Sequence, residues 1–469
     1  MAECDVLVVG AGPAGLMCAL ESAQHGLAVT VIESAPEIGG TFRVAAGHMS
    51  AAGTRQQRLA GIDDHPDSHF ADIMEIGYGR ADPALVRLAV DTAPVFVDWL
   101  DEHGFIFADS TPADPPGHSP YSKPRMHWGV NRGYSILDVL MPQLAQHVAA
   151  GRIRFRLSAP MRALVVEGGV VRGIGIGDGG DTQLRAGVTV LATGGYGSNP
   201  ELFAELTPRS SRLVTSAIPM ALGDGLRFAA QHGAQVRFGD LHTPRLGLLE
   251  RRASPGRASF ESGSLDLKSR PGRTAAVWVN AEGRRFVAED SLDVAAQEHA
   301  IMEQPGSQFW VVFDKNGRDE SPVAHMWDVD RLHQECAEGD VAWMADDIST
   351  LGSRTGIDPV GLEQTVLQVG SDKGASDDRF GRDQAFPSLA TPPFYAVRSP
   401  ATVLSSFGGL AIDTSFNVIR DDNSPIDGLK AIGEIIGMGA TSGAAFCGGM
   451  ALTPALSFGQ ELGKRLGRS

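Results

Sequence analysis

The chain opens on a strand, a glycine turn and a helix, Asp5-Val-Leu-Val-Val-Gly10-Ala-Gly12-Pro-Ala-Gly15-Leu, and the next apolar run, Leu27 to Ile32, ends on Glu33. Four consecutive apolar residues make a strand buried on both faces. Gly10 allows the tight turn, Gly12 lets backbone approach a pyrophosphate, and Gly15 lets the following helix lie close on the sheet. Glu33, 23 positions beyond Gly10, stands where a carboxylate accepts ribose hydroxyls. A glycine triplet alone constrains little. Set inside a strand–helix–strand unit with the acid at its end, it predicts a dinucleotide-binding enzyme.

At 469 residues the chain is too long for one core, so two or three domains are expected. The net charge of −16 argues against a nucleic-acid groove or an anionic membrane surface as partner. Cys4, Cys18, Cys336 and Cys447 are scattered and form no C-x-x-C, so neither a c-type haem nor a metal site is expected. That usage fits a reducing cytoplasm. No basic region precedes an apolar core and cleavage site, and no run of 18 apolar residues exists. The expectation is a cytoplasmic protein without a membrane span.

Beyond the first unit, Gly39-Gly40-Thr41 and the small-residue stretch Ala45 to Gly53 suit backbone pressed against a large planar ligand. Helical periodicity covers Pro83 to Leu100 and Ile136 to Ala149, and strand patterns run from Ile153 to Ala192. The last of these strands ends at Gly194-Gly195, which brings backbone amides to the same cofactor, and Gly223-Asp224-Gly225 opens another helix. Residues 243–275 are rich in Arg, Ser, Gly and Pro, and read as a long surface excursion. Strands at Ala275–Val279 and Gln308–Phe313 and a helix at Val360–Val369 belong to a second domain. From Phe394 the chain is expected back in the nucleotide domain.

These motifs converge on one resemblance. The opening fingerprint, "GGTFRVAAGHMSAAGT" at 39–54, "VLATGGYGSNPE" at 190–201 and "GDG" at 223–225 are joined by "VNAEGRRFVAED" at 279–290, "FGGLAIDT" at 407–414, "GLKAIGE" at 428–434 and the tail "CGGMALTPALSFGQELG". In that order they resemble the FAD-dependent fumarate reductase/succinate dehydrogenase flavoprotein superfamily, which includes the 3-ketosteroid dehydrogenases. The resemblance implies an α/β fold with a Rossmann-like FAD-binding domain (1–240 and 395–469) and an inserted smaller α+β cap domain (241–394) that carries the substrate. It places Ala14 at the pyrophosphate and Glu33 at the ribose, beside Gly10, Gly12 and Gly15. Thr41, Ala46 and Gly47 would line the isoalloxazine. Gly40, Met161, Ala192, Gly194 and Asp224 complete the expected contacts, with Glu434 at the ribityl chain. Ala451 and Leu452 would open a helix whose positive end faces the flavin pyrimidine edge. Relatives with covalent FAD attach it through a histidine early in the segment occupied here by Thr41-Phe42, so non-covalent FAD is expected.

The substrate end departs from the dicarboxylate pattern. A histidine pair reads Leu404-Ser405, an arginine before the C-terminal glycine pair reads Phe446, and another falls at Gly272 between Arg270 and Arg273. His242 matches a family histidine. Phenylalanine in place of a clamping arginine removes a bidentate carboxylate partner. The resemblance then implies α,β-desaturation of a carbonyl compound, most simply a cyclic ketone (a 3-ketosteroid or smaller oxo-cyclohexane), passing electrons to an unidentified acceptor. A base takes the α-proton, flavin N5 takes the hydride, and donors stabilise the enolate oxygen. The candidates are Tyr134 and Tyr121 as base or donor, with Arg125 or Arg132 to lower a tyrosine pKa. His127 is the next base, and Gly448 or Gly449 and Ser405 are the donors. Tyr78 and Tyr395 read as structural. Arg245, Arg270 and Arg273 leave room for one substrate carboxylate. The rival reading is an ene reductase acting on an activated alkene.

Overall fold

The first apolar run forms the centre of a parallel sheet. The computed structural model describes residues 3–115, 117–207, 212–265, 267, 276–320, 324–325, 327–371, 378–382 and 389–468. Strand β1 (Cys4–Val9) feeds helix α1 (Pro13–Gln24), with Pro13 in the first helical turn, and returns to β2 (Val29–Ile32). Helix α2 (Pro83–Glu102) has Asp82 as N-cap, whose carboxylate accepts from the Ala84 and Leu85 amides. Helix α3 (Tyr134–Ala149) precedes β3 (Ile153–Arg156), the hairpin β4 (Met161–Glu167) and β5 (Val170–Ile176), and β6 (Thr182–Leu191). β1 lies between β2 and β6, and β3 lies outside β2, all parallel. Such a sheet is covered on both sides, which is why its strands are continuous apolar runs.

Helix α4 (Asp224–Gln231) follows, and then a second, antiparallel sheet of β7 (Val277–Val279), β8 (Gln308–Phe313), β9 (Ala342–Ala345) and β10 (Phe394–Pro400). Its order is β7-β8-β10-β9. Side chains alternate between two cores: Val277, Val279, Trp310 and Val312 pack with Leu351 and Leu362, while Trp278, Phe309, Val311 and Tyr395 pack with Leu249, Leu265 and Leu332. Two expectations change here. Residues 243–275 are not a surface excursion throughout: Leu248–Glu250 pairs with Ala258–Leu265, and Leu249 and Leu265 cover one face of the sheet. The boundary expected at 395 falls inside β10, which pairs with β8 and β9. The strand's continuous apolar run reads equally well as either sheet.

The chain then rejoins the parallel sheet through β11 (Asn417–Ile419) and β12 (Pro425–Ala431), which lies parallel to β6. Helix α5 (Val294–Met302) belongs to the second unit, and helix α6 (Leu452–Leu466) packs along α1. Among the described residues no helix is long and apolar enough to cross a membrane, and no group of three potential metal ligands occurs.

Candidate active site

Two loops at the carboxyl ends of β1 and β6 and the start of α6 form a cleft made largely of backbone. A side chain on Gly10 would collide with the Ala192 carbonyl, and one on Gly15 with the Gly10 carbonyl. On Gly12 it would meet nothing. That open space lies at the start of α1, which has no side-chain cap, so the helix's positive end is available to an anion. Gly194 likewise faces open space, and Gly40 approaches Gly12. Glu33 accepts from the Ala11 amide (2.8 Å) and the Ala35 amide (2.8 Å), which fixes its carboxylate against the glycine turn. A carboxylate accommodates about four hydrogen bonds, so acceptor capacity remains. Glu434 accepts from the Ser406 amide (2.8 Å), and burial pushes its pKa up. Ala451 is exposed between buried neighbours, Ala46 is exposed beside buried Gly47, and the Thr193 hydroxyl is buried without a partner among the described residues. Open glycine backbone at a helix start, a carboxylate at the second strand's end and exposed small residues beside α6 fit a dinucleotide with a planar ring.

Met161 and Ala192 are buried at the ends of their strands, and Asp224 begins α4 beside Gly223. Thr41 lies in a short helical turn, Gly40–Arg43, while Gly47 packs against the Arg132 carbonyl. The amides of Leu452 and Thr453 both reach the Gly449 carbonyl, so of the two positions expected to open α6, Leu452 has its amide engaged. His48, the histidine later in this segment, packs its ring 5.1 Å from Trp128.

Beside this cleft, a cavity of about 180 Å³ opens where the two sheets' units meet. The parallel-sheet body contributes Asp114, His118, Tyr121, Met126 and Gly448, and the second unit contributes Leu292 and Val294. Among the described residues no lysine or arginine lines it. Phe446 stacks on His118 at 5.0 Å. A larger surface groove of about 520 Å³ beside Arg58 and His65 takes in Ala52 and Gly53 from the end of the small-residue stretch but none of the residues named as FAD contacts.

Tyr121 is buried and its hydroxyl donates to the Gly448 carbonyl (2.6 Å). Burial raises its pKa well above the usual value. The Arg125 charge acts to lower it, as expected, but burial outweighs that contribution. Arg125 lies 5.5 Å from the Tyr121 ring, but Asp64 and Asp72 already neutralise it. Tyr134, 39% exposed in the first turn of α3, does not line the cavity. His127 is buried outside it, with Nε2 3.0 Å from the Thr54 hydroxyl, and desolvation lowers its pKa to about 4. Ser405 is half-buried, next to Ser406, whose hydroxyl accepts from the Tyr196 amide (2.7 Å). Among the described residues no acceptor takes the Gly449 amide.

His242 sits edge-on to Phe203 and Phe407, and burial pulls its pKa down to about 3. His299, 3.2 Å from the Thr243 hydroxyl, is also lowered by burial. Both are neutral at pH 7 and offer no cationic grip on a carboxylate. Arg245 lies over Phe260 (4.8 Å), with its Nε buried and unpartnered among the described residues. Arg270 and Arg273 lie outside the described residues. Tyr395 is structural, stacked on Phe313. Tyr78 is more than packing: its hydroxyl crosses to the second unit and reaches the Asp293 carboxylate at 3.0 Å. Asp114, His118, Asp293 and His299 escaped the sequence reading. For the first two a signal existed, since titratable groups in the Pro/Gly-rich run before Tyr121 mark a functional loop.

Residues 5–451 match a family model described as FAD binding domain. A probable fumarate reductase of Shewanella frigidimarina is 30% identical over 98% of this chain and 74% of its own length. The open conformation of a flavocytochrome c3 fumarate reductase superposes with a TM-score of 0.74 at 27% identity, covering 99% of this chain and 78% of that one. The 3-ketosteroid Δ1-dehydrogenase of Sterolibacterium denitrificans gives a TM-score of 0.79 at 20% identity, covering 99% of both chains, a likeness of fold.

Proposed function

Since the chain belongs to the FAD binding domain family, and is an FAD-dependent oxidoreductase of the fumarate reductase/ketosteroid dehydrogenase group, we propose that it desaturates a small carbonyl compound between the α and β carbons. Residues 1–240 and 401–469 are assigned as a Rossmann-like FAD-binding domain and 241–400, which keeps β10 whole, as the cap. FAD is held without a covalent bond. Gly10, Gly12, Ala14 and Gly15 take the pyrophosphate and Glu33 the ribose. Thr41, Ala46, Gly47 and Ala451 meet the ring, and Glu434 meets the ribityl chain. Bound FAD supplies the acceptor for the hydride. The Gly449 amide and the Ser405 hydroxyl would donate to the carbonyl oxygen as charge develops on it. Leu292, Val294 and Met126 would exclude water.

The observation that carries this reading is the cavity at the seam, lined among the described residues without lysine or arginine and flanked by Phe446. A dicarboxylate needs cationic partners at both ends, and the histidines His242 and His299 are held neutral. About 180 Å³ is below the roughly 300 Å³ at which pockets begin to enclose drug-sized ligands, which favours a monocyclic ketone over a steroid. One observation favours the reverse direction: the 30% identical relative is a probable fumarate reductase. The test follows the flavin absorption band anaerobically. Monocyclic ketones are expected to bleach it. If ketones leave it unchanged while enones reoxidise the dithionite-reduced protein, the direction is reductive.

A further inference from the structure

We propose that Asp114 is the catalytic residue that exchanges a proton with the substrate carbon, as base in desaturation and as acid in the reverse reaction. The inference rests on the carbonyl reading above and names the group that reading leaves open. Asp114 lines the seam cavity with Tyr121, His118 and Gly448, facing Leu292 and Val294 of the second unit. Its Oδ1 is buried and has no partner among the described residues. The loop is not slack: Ala113 and Met126 exchange backbone hydrogen bonds at 3.1 and 3.0 Å, which holds Asp114 at the cavity edge.

The other titratable groups here are committed elsewhere. Tyr121 donates to the Gly448 carbonyl, and its raised pKa makes it a poor base. Arg125 is the nearest cation, but Asp64 takes Nε and Nη2 at 2.7 and 2.9 Å and Asp72 takes Nη1. Asp293, between the two lining residues of the second unit, is bonded to Tyr78. His118 stacks on Phe446 and is the remaining rival. With desolvation first and the Asp72 and Asp64 charges added, offset partly by Arg125, the Asp114 pKa rises to about 6. A carboxyl titrating there serves either direction near neutral pH.

In the oxidative step the α C–H bond breaks and its proton goes to an Asp114 oxygen. The electron pair left on carbon forms the C=C bond as the β C–H leaves with its electrons as hydride to FAD. The substrate loses two electrons, FAD gains them, and Asp114 returns its proton to solvent.

The experiment compares the wild-type holoenzyme with Asp114→Asn and His118→Asn on cyclohexanone and cyclohexenone, in both directions. Asp114→Asn should retain the flavin spectrum while losing about 100-fold or more in kcat. Wild-type oxidation should rise with pH through about 6 and reduction should fall, a limb that His118→Asn keeps and Asp114→Asn loses. A separate readout is washout of α-deuterium from labelled cyclohexanone, followed by mass spectrometry on enzyme whose flavin is kept reduced. Wild type and His118→Asn should exchange, and Asp114→Asn should not. If the wild type turns over and Asp114→Asn stays within about threefold of it, or exchanges α-deuterium normally, Asp114 is not the proton carrier. A wild type inactive in both directions and without exchange overturns the carbonyl reading as well.

Discussion

The two ends of the cleft are built from different materials. At the cofactor end the functional groups are backbone amides, glycines without neighbours and two carboxylates, Glu33 and Glu434, each fixed by an amide of an adjacent turn. At the substrate end they are side chains from distant stretches, Asp114, His118 and Tyr121 against Leu292 and Val294, with Phe446 and Gly448 between. A pyrophosphate and a planar ring ask for close backbone and a helix terminus, which a short contiguous motif supplies. Choosing a substrate asks for shape and for the protonation state of a few groups, which only the assembled seam supplies.

The sharpest break of this comparison separates the folding role of the glycines from their ligand role. Gly15→Val forces a side chain into the Gly10 carbonyl and should prevent a stable fold. At Gly12 an added Cβ meets no protein atom, so Gly12→Val apoprotein should fold with native circular dichroism, yet purify colourless and bind added FAD at least 100-fold more weakly. A yellow Gly12→Val protein with ordinary affinity would mean that the pyrophosphate does not lie against this turn.

The next largest effect belongs beneath the substrate end. Arg125 and Asp64 are fully buried, and Arg125→Met strands Asp64 and Asp72 without their cation. Removing one partner of a buried ion pair costs about 3–5 kcal/mol, read as a shift in urea midpoint. The pH dependence should weaken. Burial raises the Asp64 pKa, but hydrogen bonds from Arg125 and Gln57 more than reverse this and hold it below the usual value. In the wild type its contribution is therefore present above the unfolded pKa and lost as pH falls through the folded one. In Arg125→Met the hydrogen bonds from Gln57 and the His65 amide remain against desolvation, so the folded pKa rises relative to the wild type and the variant should lose less stability than the wild type on going from pH 7 to pH 5. A variant that loses as much stability over that range as the wild type would show that water reaches these carboxylates.

The same contrast governs what could be read from the residues. The strand, turn and helix at the N-terminus and the glycine segments near 40 and 194 announced themselves because each needs a small residue at a fixed offset, and such requirements are local. β10 was assigned to the wrong sheet because Phe394–Pro400 is buried on both faces, and a continuous apolar run does not say which sheet buries it. Leu249 and Leu265 were lost in a stretch whose charged and turn-forming residues masked its apolar ones. For Tyr121 the residue type suits a base, but burial opposes that role. Whether Arg125 is free to lower a neighbour's pKa depends on Asp64 and Asp72, 61 and 53 positions earlier. No spacing rule couples residues that far apart.

The smallest expected effect tests the seam itself. Tyr78 is 48% exposed, yet its hydroxyl spans from the body to the Asp293 carboxylate, and burial followed by the Asp293 charge lifts its pKa to about 12. It therefore stays a donor across the physiological range. Asp293 also caps α5 by accepting from the Ala296 amide (3.0 Å), and it sits between the cavity residues Leu292 and Val294. Tyr78→Phe removes the crossing bond and leaves the helix cap intact. A partly exposed hydrogen bond is worth about 0.5–1.5 kcal/mol, and in a chain this long the melting temperature should move by less than about 2 °C. The local consequence should be clearer, with amide hydrogen exchange at 292–296 several-fold faster while the Gly10–Gly15 turn is unchanged. Unchanged exchange at 292–296 would show that packing of Leu292 and Val294 holds the seam without Tyr78. Faster exchange at both ends would show that the cofactor end and the substrate end open as one unit.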